Sequence, residues 1–299
     1  MNTATPATRV LSLLPGTTEI VAALGAADRL VGCSHECDWP PEVAHLPRVT
    51  TTPVDATRPG AEIDSQVRAL REAGRAVIAV DAARLRELAP DLVLTQSLCD
   101  VCAADGGAVQ SLAAALPRPP RVLALRGTTL AGVMDDILAV ADALGAREAG
   151  LALVRELRAG FARLAESGRR PRPRVACVEW LDPPYLAGHW APELVAAAGG
   201  EDVGARAGDP SRRREWSEIA ALRPEVVLVM LCGFDVPRAR RELGALRDPV
   251  ARELLATTPS FILDGNAFTS RPGPRLLDGA LRIRAALEGR DLPGLARVS

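Results

Sequence analysis

Short apolar runs along the chain alternate with longer segments in which apolar residues recur every three to four positions. This alternation predicts an α/β protein whose mainly parallel strands are wrapped by helices. The apolar runs predict strands at Val10–Leu14, Ala76–Val80, Asp91–Thr95, Arg121–Leu125, Arg174–Trp180, Glu225–Leu231 and Ser260–Leu263.

Two short patterns occur twice and in the same order, which predicts two related lobes. In each half a helix ends at Gly, and a later helix stops at Pro before a buried strand. The stretch between the two patterns is about 40 residues longer in the first half, so the first lobe carries an additional segment. The matched pairs are Glu19–Gly25 with Glu193–Gly199, and Leu88–Leu94 with Leu222–Leu228.

The stretch from Thr128 to Gly168 has an apolar stripe with helical spacing that is interrupted at Gly145. We therefore expect a long helix to join the lobes. The predicted domains are an N-terminal lobe at 1–126, an interlobe helical linker at 127–170 and a C-terminal lobe at 171–299. A ligand is expected in the cleft between the lobes, at the carboxyl ends of the strands.

Charge and composition exclude several classes of function. The formal net charge of -1 offers no basic field for nucleic acid. No apolar run approaches the roughly 20 residues of a membrane span. All 36 basic residues are Arg, which excludes Walker-type phosphate loops and Schiff-base chemistry that need Lys. No secretory leader precedes the first strand at Arg9, so we expect a cytoplasmic protein.

Aromatic residues make up only 3% of the chain, and most of them adjoin predicted loops. Any one of them could cover a junction between a loop and the core, but the set favours flat apolar walls for a large ring-like ligand. The residues at or beside predicted loops are Trp39, Trp180, Tyr185, Trp190, Trp216, Phe234 and Phe268.

Two loops offer polar groups to such a ligand. After the first strand, Pro15, Gly16 and Thr17 open a helix whose free N–H groups and hydroxyls can receive an anionic or polar group. The alternative is an ordinary capping box. Near the other end, Arg271–Arg275 presents two guanidinium groups that could clamp amide or phosphate oxygens, or simply pair with surface acids.

Four cysteines of the first lobe fall in two predicted loops at the same edge of the sheet: Cys33, Cys37, Cys99 and Cys102. Their spacing is compatible with zinc or an iron–sulfur cluster, and with a redox disulfide between Cys99 and Cys102. Plain reduced thiols, buried as small hydrophobes, are the favoured interpretation. No nucleophile elbow or zinc-protease helix motif is present, so we do not expect an enzyme.

Several segments resemble the cobalamin-binding proteins of ABC importers, in the helical-backbone class of substrate-binding proteins that also includes siderophore and haem binders. The resemblance runs from about Arg9 to Leu287 and implies two α/β lobes joined by one long helix, with the corrin held edge-on between them. The segments are Val10–Glu19, Cys37–Pro40, Pro90–Leu94, Trp180–Gly188, Ala198–Gly200, Cys232–Phe234 and Arg271–Arg275.

The resemblance also implies roles for individual residues. Trp39 and Tyr185 stand where the family places aromatic rings against the corrin, and Arg271 stands where it places a polar contact. The acid that some relatives carry beside this arginine is Ser270 here. Cobalamin is thus expected as a ligand, with no cofactor required. Position in the predicted cleft loops, and not the resemblance, gives the remaining predicted ligand contacts: Pro15, Gly16, Thr17, Gln96, Trp216, Cys232, Gly233 and Phe268. Cys232 could face the cobalt, and His35 or His189 could ligate it, although a lone histidine in a loop is more often a solvated surface residue.

Importers of this class dock on a permease through one Glu in each lobe. The corresponding positions are Ala83 and Ser217, and the nearby acids Asp81 and Glu218 are out of register. An ABC permease remains a possible partner, but the sequence favours a cytosolic corrinoid binder that has left transport.

Other functions stay open at this point. A haem or ferric-siderophore binder would use Arg271 and an axial Tyr185. A tetrapyrrole metal chelatase would need His and Glu to converge, and His189 with Glu193 is the candidate pair. A third possibility is a metal-cluster protein built on the four cysteines of the first lobe.

Overall fold

A computed structural model describes residues 5–97, 106–166 and 171–298. These residues form two compact units. The first unit contains the residues up to Thr57, together with Ser65–Gly127 and Ala131–Glu156. The second contains Arg58–Asp64, Thr128–Leu130 and the residues from Leu157 onward.

The strands of the first unit form a four-stranded parallel sheet and a separate antiparallel pair. They are β1 (Val10–Ser12), β2 (Leu30–Cys33), β3 (Thr50–Thr51), β4 (Ala79–Val80), β5 (Leu92–Gln96) and β6 (Arg121–Leu125). The order in the main sheet is β2-β1-β5-β6, and all its neighbours are parallel. The mainly parallel α/β fold predicted from the sequence is confirmed.

One predicted strand does not belong to this sheet. Only Ala79–Val80 of the predicted strand Ala76–Val80 is extended, and it pairs antiparallel with Thr50–Thr51. Val77 and Ile78, which gave the run its apolar character, are buried in the core of the first unit. The predicted strand is therefore confirmed only for Ala79–Val80, whereas the apolar pair Val77 and Ile78 is buried outside it.

Helices cover the main sheet of the first unit: α1 (Pro15–Ala23), α2 (Gly60–Glu72), α3 (Ala82–Leu88), α4 (Gly106–Ala114) and α5 (Leu130–Ala143). One core cluster joins β1 and β5 to α3 and α4. Its buried members are Leu11, Leu13, Val49, Val77, Ile78, Leu85, Val93, Val109 and Leu116.

The long helical stretch predicted between the lobes consists of α5 and α6 (Arg147–Glu166). They are separated at Gly145, whose φ of +66° is a left-handed conformation that favours glycine. Most of α5 packs into the first unit, and the boundary between the units falls inside α6, after Glu156. The described residues of the predicted linker 127–170 are thus divided between the two units.

The second unit has a seven-stranded sheet made of β7 (Arg174–Leu181), β8 (Pro184–Leu186), β9 (Glu201–Asp202), β10 (Arg212–Arg213), β11 (Val226–Val229), β12 (Ser260–Leu263) and β13 (Leu295–Arg297). Its helices are α7 (Ala191–Ala198), α8 (Trp216–Ala221), α9 (Val236–Ala245), α10 (Pro249–Thr257), α11 (Gly265–Phe268) and α12 (Leu276–Leu287). β7, β11 and β12 are parallel neighbours, whereas β8, β10 and β13 pair antiparallel.

The two units repeat one arrangement. The order β9-β7-β11-β12 in the second sheet matches β2-β1-β5-β6 in the first, and all of these neighbours are parallel. In both units the residue before the Pro of the repeated motif is left-handed: φ is +40° at Ala89 and +49° at Arg223. The prediction of two related lobes is therefore confirmed.

Among the helices in the described ranges, none combines the length and the apolar character needed to cross a bilayer.

Candidate functional site

A buried hydroxyl cluster lies where β1 meets α1. Thr17 Oγ1 donates to the Leu14 carbonyl at 2.9 Å and lies 2.5 Å from Ser12 Oγ, and Thr18 Oγ1 donates to Ser12 Oγ at 2.7 Å. Thr17 and Thr18 are fully buried. The predicted ligand contact at Thr17 therefore needs correction, because its hydroxyl is directed into the fold. Gly16 is also buried, and Pro15 is half-buried.

The alternative prediction for this loop, a capping box, is wrong as well. The residue that precedes α1 is Leu14, and no side chain caps the helix. Because Pro15 has no N–H, the first backbone donor of α1 is that of Gly16. Of the ligand contacts predicted for this loop, only those made by its backbone remain.

Cys33 and Cys37 are buried next to this cluster, and they form a hydrogen-bonded thiol pair. The hydrogen bond from Cys37 and the charge of Arg48 lower the pKa of Cys33 to about 7, against an opposing effect of burial. The same pairing with Cys33, together with burial, raises the pKa of Cys37. Arg48 Nη1 donates to Cys33 Sγ at 2.6 Å, and Thr18 Oγ1 lies 3.1 Å from Cys37 Sγ.

The four-cysteine metal site is only partly within the described chain. Cys99 and Cys102 lie outside the described residues. Within them, no group of three or more His, Cys, Asp or Glu side chains is arranged to hold a metal ion. His35, considered as a cobalt ligand, has its Nδ1 2.6 Å from Thr50 Oγ1.

Trp39 follows the thiol pair and has 45% of its surface exposed. It and Leu281 are the two large hydrophobic residues that are exposed among those described. An exposed ring of this size leaves a flat apolar surface that is accessible to a ligand. Gln96, at the end of β5, is 7% exposed, so little of it is presented to solvent.

In the second unit, two aromatic rings lie at the carboxyl ends of β7 and β11. Trp180 and Phe234 have ring centroids 5.3 Å apart. Between β11 and Phe234 lie Cys232, which is half-buried, and the exposed Gly233 with φ +74°. These residues occupy the edge at which open parallel sheets bind ligands.

The first turn of α2 packs against the same edge. Gly60 N donates to Glu242 Oε2 at 2.9 Å, and Arg238 Nε donates to Glu242 Oε1 at 2.8 Å. The Arg238 guanidinium lies 4.7 Å from the centre of the Phe234 ring. A cavity of about 110 Å³ is enclosed there by residues that include Pro59, Gly60, Trp180, Phe234 and Glu242.

Two of the loop-adjacent tryptophans prove to be structural. Trp216 is 3% exposed and donates from Nε1 to the Leu181 carbonyl at 3.2 Å. Trp190 is 5% exposed and donates to the Thr269 carbonyl at 2.8 Å. The predicted ligand contact at Trp216 is therefore corrected: its ring belongs to the core. Tyr185 differs, since it is half-buried on the short strand β8, which lies between β10 and β7.

The arginines in and before the last helix make two kinds of contact, a buried hydrogen bond and stacking on an aromatic ring. Arg271 is 5% exposed, and its Nη2 donates to Asn266 Oδ1 at 2.7 Å, so its guanidinium is already engaged inside the unit. Arg275 and Arg282 instead lie over the Phe268 ring, at 4.9 Å and 3.5 Å from its centre. Phe268 is half-buried under these two cations.

His189 and Glu193 do not converge. Glu193 Oε2 accepts a hydrogen bond from Leu130 N at 2.7 Å, at the start of α5. Burial lowers the pKa of His189, and its buried Nδ1 has no hydrogen-bond partner among the described residues. The acid–base pair required for a chelatase is thus not assembled from these two residues.

A second cavity in this unit, of about 530 Å³, lies away from the carboxyl edge of the sheet. Its lining includes Arg174 and Glu201, the first residues of β7 and β9, and so it is at the amino end of the sheet. Asp202, which also lines it, has a pKa raised to about 6 by burial. Its Oδ1 accepts from Gly204 N and Ala205 N, which fixes the turn after β9. These interactions give Asp202 a structural role.

Sequence reasoning missed Arg48, Arg238 and Glu242. Arg48 lies outside the helices and contacts Cys33, 15 residues before it. Arg238 and Glu242 lie on α9 among other charged residues, and Glu242 accepts from Gly60 N, which is 182 residues away in sequence. Glu242 is four residues after Arg238 in a helix, a spacing that predicts only a local ion pair. No signal in the sequence connects that pair with Gly60.

Known proteins share this arrangement. The chain is 22% identical to the vitamin B12-binding protein of Vibrio cholerae serotype O1 over 285 residues, which cover 93% of this chain and 88% of that protein. The crystal structure of the periplasmic vitamin B12 binding protein of Vibrio cholerae superposes with a TM-score of 0.65 at 20% identity, covering 95% of this chain and 97% of that one. The chain therefore has the two-lobe α/β fold of this vitamin B12 binding protein.

Haem binders share this substrate-binding-protein fold. A periplasmic haem-binding protein from Pseudomonas aeruginosa gives a TM-score of 0.70 at 20% identity and covers 98% of both chains. No family model matches the chain. The predicted resemblance is confirmed, and the named relatives are binding proteins whose ligands differ.

Proposed function

We propose that the protein binds cobalamin or a related corrinoid and does not catalyse a reaction. The observation that carries this proposal is the exposed ring of Trp39, at a position where the resemblance implies an aromatic contact with the corrin. Tyr185, Trp180 and Phe234 add aromatic surface at the carboxyl edge of the second sheet. The likeness to a vitamin B12-binding protein over most of the chain supports the same ligand.

Titration with cyanocobalamin and hydroxocobalamin tests the proposal. We expect saturable binding tighter than about 10 μM, which corresponds to roughly -7 kcal/mol. The visible spectrum of the corrin and isothermal calorimetry give independent readouts. If neither the corrin spectrum nor the calorimetric heat changes at ten times that cobalamin concentration, and the protein is folded, a corrinoid ligand is ruled out.

Haem is the second candidate, since Arg275 and Arg282 place two guanidinium groups on the Phe268 ring. Guanidinium groups pair well with the carboxylates that haem carries. Haem is therefore titrated in parallel, as is a ferric hydroxamate siderophore. Tighter binding of either than of both cobalamins would transfer the assignment to that ligand.

We also propose that the protein works in the cytosol and does not deliver its ligand to a permease. Ala83 and Ser217 are both exposed at the positions of the docking acids. The nearby acids are engaged: Asp81 accepts from Ala83 N and Arg84 N, and Glu218 accepts from Glu215 N. Both acids also lie outside the sequence positions at which importers of this class carry their docking Glu.

Fractionation of the native host tests this second proposal. We expect the protein in the soluble cytosolic fraction, with no membrane transporter copurifying under mild detergent. Recovery from an extracytoplasmic fraction, or in a complex with a transporter, would refute it.

A further inference from the structure

The segment Arg58–Asp64, at the start of α2, packs with the second unit, whereas the rest of that helix belongs to the first. It lies within the additional stretch by which the first half of the chain exceeds the second. Its residues Pro59, Gly60 and Ala61 face Trp180 and Phe234 across the small cavity at the carboxyl edge of the sheet. The chain thus covers part of its own aromatic surface at the edge where ligands bind.

Polar contacts hold this segment in place. The Glu242 carboxylate accepts the Gly60 N–H at 2.9 Å, so it caps α2 with a negative charge at the helix N-terminus. Arg238 orients that carboxylate at 2.8 Å and also donates from Nη2 to the Arg58 carbonyl. The side chains of Arg238 and Glu242 are 18% and 13% exposed, so the pair is shielded from solvent.

Apolar contacts contribute much less than these polar contacts to keeping Arg58–Asp64 in place. In α2 only Gly60 and Ile63 are buried, and the cavity of about 110 Å³ remains beneath the segment. Trp180 lines this cavity, and its buried Nε1 has no acceptor among the described residues. A segment with few buried apolar contacts, over an unsatisfied N–H, opens at a small cost in free energy.

We propose that Arg58–Asp64 is a latch that competes with the ligand for the Trp180–Phe234 surface. Opening breaks the Glu242–Gly60 and Arg238–Arg58 hydrogen bonds and exposes both rings. A ligand then covers the rings and can offer an acceptor to Trp180 Nε1. The ligand part of this proposal rests on the proposed function, but the opening of the latch does not.

The variant Glu242→Gln tests the latch, because it removes the charge that caps α2. The matched control is Glu253→Gln, at an exposed position of α10. In the variant we expect faster hydrogen exchange in the peptide from Ala56 to Ile63, and stronger fluorescence of anilinonaphthalene sulfonate on the exposed rings. For cobalamin we expect about three- to tenfold tighter apparent binding, because a larger fraction of molecules is open.

A second variant, Arg238→Met, keeps the length of the side chain and loses its donors, and it should shift all three measurements in the same direction. Circular dichroism confirms that each variant is folded. Exchange and dye fluorescence equal to those of wild type would overturn the latch whether or not any ligand binds. Faster exchange with unchanged or weaker cobalamin binding would overturn the competition. If no protein binds a tetrapyrrole, the proposed function fails, while stronger dye binding by the variants still supports the latch.

Discussion

Arg48 Nη1 lies 2.6 Å from Cys33 Sγ, so a fully buried thiol has a guanidinium as its direct hydrogen-bond partner. With the hydrogen bond from Cys37, this partner lowers the pKa of Cys33 to about 7. Cys33 is therefore largely a thiolate in mildly alkaline solution, whereas Cys37 remains a thiol.

The first prediction concerns this ionisation. The ultraviolet absorbance of the thiolate should rise in wild type near pH 7. Cys37→Ala removes the largest stabilising contact and should move the transition to higher pH, and Arg48→Met should move it in the same direction by less. Cys33→Ser is the control in which the transition disappears. A wild-type transition no lower than that of an ordinary cysteine would contradict the assignment.

The same ionisation makes stability depend on pH. Because the folded pKa of Cys33 is below the unfolded one, the stabilisation is present above the unfolded value and is lost as pH falls through about 7. Urea unfolding measures the free energy of unfolding of wild type and of Cys33→Ser above and below this pH window. The excess stability of wild type over the variant should be larger at the higher pH, by up to about 2 kcal/mol. An equal difference at both pH values would show that Cys33 stays protonated.

Asp202 gives the opposite dependence. Burial raises its pKa to about 6, so the folded state favours the protonated form and loses stability as pH rises from about 4 to 6. Asp202→Asn keeps an oxygen for Gly204 N and Ala205 N and removes the titration. The free energy of unfolding should therefore fall less in the variant over this range, by about 2 kcal/mol. Parallel curves for the two proteins would contradict the shift.

Trp39 and Trp216 should respond to alanine in opposite ways. Trp39→Ala should leave the free energy of unfolding within about 0.5 kcal/mol of wild type, since the ring is largely exposed. It should weaken cobalamin binding by about 1–3 kcal/mol, as for an aromatic residue that contacts a ligand. Leu281→Ala, at the other exposed large hydrophobic residue, is the control and should bind like wild type. Equal affinity in all three proteins would remove Trp39 from the site.

Trp216→Ala should instead destabilise the fold by about 3–5 kcal/mol, because it empties a buried site and leaves the Leu181 carbonyl without its donor. Chemical denaturation measures this loss. Trp216→Phe should recover part of the stability and bind cobalamin like wild type. A stable Trp216→Ala protein with weakened binding would return this residue to the ligand site.

The parts of the fold that depend on local periodicity could be predicted from the sequence. The two repeated motifs located α1, α7, β5 and β11, because each combines an apolar run with a helix stop that the backbone itself requires. The strand predicted at Ala76–Val80 is present only at Ala79–Val80, because a short apolar run reports burial and does not distinguish a strand from a buried turn.

The candidate site was less predictable, since it depends on contacts between distant residues. Trp39 and Trp216 both lie beside loops, yet Trp39 is 45% exposed and Trp216 is 3% exposed, with its indole N–H donating to the Leu181 carbonyl. Position beside a loop therefore does not distinguish an exposed ring from a buried one. Thr17 likewise turned inward because Ser12 and the Leu14 carbonyl accept it. Polar residues that satisfy one another inside the protein are not distinguished by sequence from those that await a ligand.

The strand pairing has a consequence for how the protein could be made. Among the described strands, those of the first two sheets pair only with strands before α6, and those of the last sheet pair only with strands after it. No ladder between described strands would be cut if the polypeptide were encoded as two fragments divided after that helix. Two coexpressed fragments could then report ligand or partner binding by reassembly, with each half carrying its own complete sheet.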